Sequence, residues 1–241
     1  MQQILLVMHI SKAQIKFIRS LQHKKFRDES GFFVAEGRKS IEELKKGFEL
    51  VLEVNSSNAT EEEISRMSGL KTPQGEIAVF KKAASGEPVA GGDLTVVLDG
   101  IQDPGNLGTI IRTCDWFGVK QIVCSPDTAD CYNPKVVQAT MGALTRVRVV
   151  YTDLPVWLGQ QDVPVYGTLL DGKNMYETVK GGSVKGIIVM GNEGNGISQA
   201  VRPYITHPLY IPSYPAGAET SESLNVAIAT AVVLAEFRRP G

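Results

Sequence analysis

The chain has 241 residues, of which 43% are hydrophobic and 21% charged, with a formal net charge of −1. This is the balance of an ordinary soluble protein, long enough for one large domain or two modest ones. No apolar stretch approaches the roughly 18–20 residues that a membrane span requires.

The opening MQQILLVMHISK has a short apolar run but neither a basic leader nor a small-residue cleavage site, so a cytoplasmic location is expected. Ser11, followed three residues on by Gln14, is a capping-box pattern. It predicts a helix with Ile15, Ile18 and Leu21 turned inward. Lys12, Lys16, Arg19, Lys24, Lys25 and Arg27 then form a locally basic surface without an intervening acid. Near-zero net charge does not exclude nucleic acid, because local distribution decides. Such a stretch reads either as a phosphate-contacting surface or as a solvated helix face. Gly31 ends it, and Phe32–Ala35 reads as a short buried strand. A helix over Ser40–Lys46 is expected to stop at Gly47, followed by a strand at Leu50–Val54. Thr60 with Glu63 repeats the capping box. Pro73-Gln74-Gly75 turns the chain into a strand at Ile77–Phe80. These alternating elements predict a small α/β domain over residues 1–86.

Residues 84–93, ASGEPVAGGD, are a Gly/Pro/Ser-rich connection and the expected boundary. Beyond it, over residues 93–241, LTVVLDG is a nearly continuous apolar strand of the kind found in parallel sheets covered on both faces. Further strands are expected at Gln121–Cys124, Val147–Val150, Val165–Leu169, Ile187–Met190 and Leu209–Ile211. Asn133-Pro134 opens one helix, and the last begins near Ser223 and ends at Phe237. Cys114, Cys124 and Cys131 lack CxxC spacing, and His9, His23 and His207 lie apart from them. The pattern predicts reduced structural thiols and no metal site.

Three loops at strand ends are where an α/β domain places a ligand. In DPGNLGTIIR (Asp103–Arg112), Gly105 and Gly108 permit close backbone approach, and Arg112 returns toward the loop one turn past Gly108. The plainer alternative makes Asn106 a helix cap and Arg112 a solvated residue. GNEGNG (Gly191–Gly196) is neither the glycine pattern of a dinucleotide fold nor a P-loop. Its Glu193 repels phosphate but accepts from hydroxyl, amine or guanidinium groups. In SLNVAIATAVVLAEF, Ser223 reads equally as a cap or as a functional residue. Asn225, on an otherwise apolar helix, is harder to explain as packing.

Asn106-x-Gly108-x-x-x-Arg112, Gly191-Asn192-Glu193-Gly194, and Ile211-Pro212 with Ser223-Leu224-Asn225-Val226 resemble, in order and spacing, the three motifs of the SpoU (TrmH-like) RNA ribose 2′-O-methyltransferases of the SPOUT superfamily. The N-terminal KFIRSLQHKKFRDESGFFVAEG is similar to the substrate-recognition domain of longer members. The resemblance implies a parallel α/β domain with a C-terminal trefoil knot, behind a small α/β RNA-binding domain. It also implies a homodimer and an RNA substrate, ribosomal RNA or else transfer RNA. S-adenosylmethionine would be held by backbone groups at Gly191, Gly194, Ile211 and Leu224, with Thr168 or Leu169 nearby. Family analogy gives Arg112 the role of activating the ribose hydroxyl. A guanidinium holds its proton too tightly for a base, so electrostatic stabilisation of the developing alkoxide is the better physical expectation. Asn106 would orient Arg112 or the ribose, Glu193 would position the cationic side chain, and Ser223 and Asn225 would complete the polar shell. The link SYPAGAETSE (Ser213–Glu222) is longer than usual for the family, with Glu219 and Glu222 near the expected cofactor pocket. Two other readings stay open on the residues: a catalytically silent RNA-binding or ribosome-assembly module, and an unrelated nucleotide-binding α/β enzyme.

Overall fold

The computed structural model describes residues 9–84, 86–89, 93–179, 185–215, 219, 221 and 223–240. They form two compact units. One takes the described residues up to Ala84 together with Asp130–Thr145, and the other takes the rest. Of the expected linker, Ser85 and residues 90–92 lie outside the described residues.

The first unit is built on an antiparallel sheet of β1 (Phe32–Glu36), β3 (Ile77–Lys81) and β2 (Leu50–Val54), in the order β1-β3-β2. α1 (Lys12–Ser20) starts at a complete Ser11/Gln14 capping box and buries Ile18. Leu21, just past it, is also fully buried. The basic stretch then breaks into a second helix, α2 (Lys24–Ser30), which closes on Gly31 in the left-handed region at φ 75°. α3 (Arg38–Leu44) has its cap at Lys45, and a turn carries the chain on through the expected stop at Gly47, whose amide donates to the Leu44 carbonyl at 3.1 Å. α4 (Glu61–Met67) opens on the Thr60/Glu63 capping box. Ile18, Leu21, Val34, Val54, Ile64, Met67, Ile77 and Val79 share one core.

The Asn133-Pro134 helix, α6 (Pro134–Thr140), belongs to this first unit, not to the second domain where the linker boundary would place it. Two contacts explain this. The Tyr132 ring lies 4.8 Å from that of Phe33, and Asp130 accepts from Arg27 Nε at 3.0 Å and Nη2 at 2.7 Å. Arg27 is only 1% exposed and also donates to the Leu21 and Gln22 carbonyls. This corrects its expected place on the basic surface, because a buried guanidinium spent on four acceptor contacts is a structural tie.

The second unit is a six-stranded parallel sheet. Its strands are β4 (Leu94–Asp99), β5 (Gln121–Cys124), β6 (Arg148–Tyr151), β7 (Val165–Asn174), β8 (Gly186–Gly191) and β9 (His207–Tyr210). Their order is β6-β5-β4-β8-β7-β9. Every residue of β8 is buried, and only Thr95 of β4 is not, as a sheet covered on both faces requires. Val97, Val123, Ile187 and Val189 pack with Leu154, Trp157 and Leu158 of α7 (Leu154–Leu158). On another flank Tyr166 meets Phe237 of α9 (Val226–Phe237) edge-on at 4.9 Å. α5 (Pro104–Trp116) lies beside α9. A short helix, α8 (Met175–Thr178), follows β7. Among the described residues no helix is long and apolar enough to cross a membrane.

Removing one partner of a buried pair strands the other charge. Arg27→Met is therefore expected to lower unfolding stability by about 3–5 kcal/mol, measured by urea denaturation. Arg27→Lys should recover little, since one ammonium cannot span the same acceptors.

Candidate active site

Parallel strands deliver their C-terminal ends to a common edge. In the middle of this edge β4 and β8 are direct neighbours, with Asp99 opposite Gly191. Each continues into one of the predicted segments.

After β4 the chain passes Gly100, at φ 73°, and enters α5 almost at once. Asp103 is the cap: its Oδ1 accepts from the Asn106 amide at 2.8 Å, with Pro104 at the helix start. Most of the segment expected as a loop is therefore the first two turns of a helix. Asn106 is not its cap, and its side chain is left for other work.

After β8 the chain doubles back. Asn192 and Gly196 exchange both backbone hydrogen bonds, at 3.0 and 2.9 Å. A side chain at Gly191 would overlap the backbone of Gly196 and Ile197, so the turn demands glycine there. The Asn192 side chain, not among the predicted site residues, fastens this turn. Its Oδ1 accepts from the amides of Gly194 at 2.9 Å and Asn195 at 3.0 Å. Its Nδ2 donates to the Gly100 carbonyl at 2.6 Å. Asp99 holds the far end by accepting from the Ser198 amide at 2.7 Å. The available signal was an asparagine in a glycine turn, a residue that bonds backbone two positions on; its reach to Gly100 had none.

The third segment joins through Asn225. Asn225, and not Ser223, caps α9, its Oδ1 accepting from the amides of Ala227 at 2.9 Å and Ile228 at 3.3 Å. Its Nδ2 donates to Asn106 Oδ1 at 3.0 Å, and Asn106 Nδ2 donates to Glu193 Oε1 at 2.8 Å. The chemistry fixes the direction of this relay. Helix amides can only donate, so the Asn225 oxygen faces them; its amino group then faces the Asn106 oxygen, and the Asn106 amino group faces the carboxylate.

Two predicted residues stand outside the relay. Arg112 is exposed on α5 and forms no ion pair with a described residue. At 100° per residue, six positions put it about 120° round the helix from Asn106, and among the described residues no hydrogen bond or ion pair joins it to Asn106 or Glu193. Ser223 is exposed beside the cap.

The positions expected to hold a cofactor lie on adjoining strands. Gly191 ends β8, Thr168 of β7 is opposite Leu209 of β9, and Ile211 follows β9 directly. Thr168 also reaches toward the Val189 carbonyl at 3.5 Å. Leu169 opens a stretch of β7 where pairing with β9 lapses until Lys173. Gly194 lies in the Asn192 turn, and Leu224, 49% exposed, precedes the α9 cap. Within the longer link, residues 216–218, 220 and 222 lie outside the described residues.

On the first unit Lys12, Lys16 and Arg19 are exposed at a spacing of four and three along α1, one face of the helix. Lys24 and Lys25 are exposed too, but Lys24 pairs with Asp28 at 2.7 Å and Lys25 with Glu29 at 3.8 Å. Hydrogen bonds from Lys24 and then Lys82 hold the Asp28 carboxyl below its usual range. Cys114, Cys124 and Cys131 are all buried, and burial raises the Cys114 thiol well above the ordinary value. Among the described residues no group of three or more His, Cys, Asp or Glu is placed to hold a metal ion.

Residues 93–235 match the SpoU rRNA Methylase family, and residues 12–85 match the MRM3-like substrate binding domain. The chain belongs to the SpoU rRNA methylase family. It is 31% identical over 244 residues to the Bacillus subtilis (strain 168) 23S rRNA (guanosine(2553)-2′-O)-methyltransferase RlmP, covering 93% of this chain and 96% of that one. Among solved structures, a Porphyromonas gingivalis protein of the TrmH family superimposes with a TM-score of 0.86 at 40% identity, covering 95% and 98% of the two chains. The AdoMet-bound rRNA methyltransferase of Sinorhizobium meliloti does so at 0.83 and 32% identity, covering 97% of each. The matched residues 93–235 include the α5 start, the Asn192 turn and the α9 cap that the relay connects.

Asn225→Ala loses a helix cap, with an expected cost of about 1 kcal/mol in urea unfolding. Asn225→Asp keeps the accepting oxygen, so its unfolding midpoint should stay near that of the parent chain.

Proposed function

We propose that this protein transfers a methyl group from S-adenosylmethionine to a ribose 2′-hydroxyl of ribosomal RNA, with a guanosine of 23S rRNA as the target. The observation that carries this reading is the Asn225–Asn106–Glu193 relay, which joins all three motif segments of a SpoU-family chain. The AdoMet-bound Sinorhizobium meliloti neighbour and the Bacillus subtilis relative support the cofactor and the target. Residues at the strand ends suit that cofactor: Gly191, Gly194, Ile211 and Leu224, with Thr168 and Leu169, offer backbone groups and apolar surface around an uncharged adenosine. The cofactor supplies an electrophilic methyl group.

What remains for the protein is positioning and charge. Arg112, unpaired with any described carboxylate, is available to a phosphate or to the negative charge growing on the ribose oxygen. It acts as an electrostatic stabiliser and not as a base. Glu193 has one oxygen committed to Asn106 and keeps the other for a donor from the bound substrates. The relay holds that carboxylate in one rotamer. Lys12, Lys16 and Arg19, with Lys24 and Lys25 beside them, contact RNA phosphates, a sequence-independent attraction.

A second copy of the chain completes the assembly. α9 has no polar stripe: Ile228 is 53% exposed, and Trp116 at the end of the adjacent α5 is 85% exposed. A helix apolar on all sides needs cover on its outer side too, and we assign that cover to the same face of a partner in a homodimer. The family resemblance further supports a knotted C-terminal segment and a cytoplasmic setting.

The test is transfer of labelled methyl from S-adenosylmethionine to rRNA lacking the modification, followed by digestion to nucleosides. Label is expected on a 2′-O-methyl nucleoside; label on a base overturns the ribose assignment. Arg112→Ala should reduce transfer by about 100-fold while cofactor binding, read by calorimetry, persists. Asn225→Asp should reduce it by about 10-fold or more in a stably folded protein. Its carboxylate draws the Asn106 amino group away and leaves an oxygen facing Glu193. Trp116→Glu should sediment as a monomer.

A further inference from the structure

The first unit contains a cavity of about 170 Å³ that the methyl-transfer reading does not use. It is lined by residues from β1, from the turn joining α1 to α2, from the segment after α4, and from α6 and its cap, all within that unit. Val34 and Leu70 give it apolar surface, while Gln22, Glu36, Asn133 and Gln138 bring polar groups to it and the exposed Lys135 stands at its wall.

Two of these polar groups have unused hydrogen-bonding capacity. Glu36 is 5% exposed and accepts only from Ser68 Oγ and the Gly69 amide, both at 2.6 Å. A carboxylate can accept at about four positions, and no described basic residue forms an ion pair with this one. Gln22 Nε2 is buried without a hydrogen-bond partner. A buried donor left unmade is a standing cost. The cavity therefore offers an anionic double acceptor and a lone donor beside an apolar surface.

We propose that this cavity binds the Watson–Crick edge of a guanine in the RNA, at a nucleotide other than the one methylated. Among the four bases guanine alone presents two adjacent donors, N1–H and N2–H, next to an acceptor, O6. The carboxylate of Glu36 takes the two donors and Gln22 gives its amide hydrogen to O6. Adenine and cytosine present a single amino donor next to a ring acceptor, and uracil one donor between two acceptors, so each sets a lone pair against the carboxylate. Unpaired bases turned out of an RNA loop are read on this edge. The sugar–phosphate of such a nucleotide would leave near Lys24 and Lys25, which begin the helix just after Gln22. This inference rests on the RNA reading above for the carrier of the base, and not on the methyl-transfer chemistry.

The experiment is saturation-transfer NMR on the full chain with 5′-GMP, AMP, CMP and UMP, run beside the methyl-transfer assay. GMP should bind at least ten times more tightly than the other three. Glu36→Gln should weaken it at least tenfold by turning an amino group toward N1–H. Because Glu36 also ties down Ser68 and Gly69, a second variant, Gln138→Trp, fills the cavity from the partly exposed side of α6 and should abolish GMP binding with unfolding unchanged. Equal binding of all four nucleotides, GMP binding unaltered by Gln138→Trp, or no GMP binding at all overturns the pocket. GMP binding intact without methyl transfer to any RNA overturns the methyltransferase reading alone.

Discussion

One line of hydrogen bonds, from the first amides of α9 through Asn225 and Asn106 to Glu193, determines how three distant parts of the chain act as one site. Its links span 119 and 87 residues. Each neutral bond contributes only about 0.5–1.5 kcal/mol net, and one to a charged group about 1.5–3. The line is thus too weak to assemble the site. Assembly comes from β4 and β8, whose buried aliphatic side chains are each worth about 1.5–3 kcal/mol and whose register sets Asp99 beside Gly191. The sheet brings the segments within reach, and the relay sets how the Glu193 carboxylate and the Asn106 amide are turned. Asn192 belongs between these levels, tying the Glu193 turn to Gly100 before Asn106 is involved.

What could be read from the sequence follows the range of the interaction. Both capping boxes were legible because cap and partner lie three residues apart. The strands were legible because a parallel sheet buried on both faces needs unbroken apolar runs. The placing of three strand-end loops in one site was legible from the α/β pattern, and the choice of Glu193, Asn106 and Asn225 within them through motif resemblance. No local rule reports that Asn225 finds Asn106 across 119 residues. Local spacing also misread the start of α5, where two glycines suggested a loop. Asp103 and Pro104 together start a helix strongly enough to carry both glycines within it.

Arg27 shows the same limit from another direction. In sequence it is one of six basic residues in a run, and nothing nearby distinguishes it. Its acceptors are Asp130, 103 residues away, and two carbonyls of the preceding turn. Charge density along a chain therefore overstates charge density on a surface. Here the pairing of Lys24 and Lys25 with acids one turn on reduces it further, leaving Lys12, Lys16 and Arg19 as the less compensated part.

α5 and α9 start together, at the Asn106–Asn225 bond, and finish together, where Arg238 donates to the Phe117 carbonyl at 3.1 Å. They therefore run in the same direction, and their peptide dipoles add instead of cancelling. Each contributes about half a positive charge at its start, so the strand-end edge carries a fixed positive potential that depends on no titrating side chain. On the proposed reading, a phosphodiester nearing the relay would be drawn by backbone as well as by Arg112. Arg238 meets the opposite, electronegative ends, where a cation offsets the repulsion between two aligned dipoles.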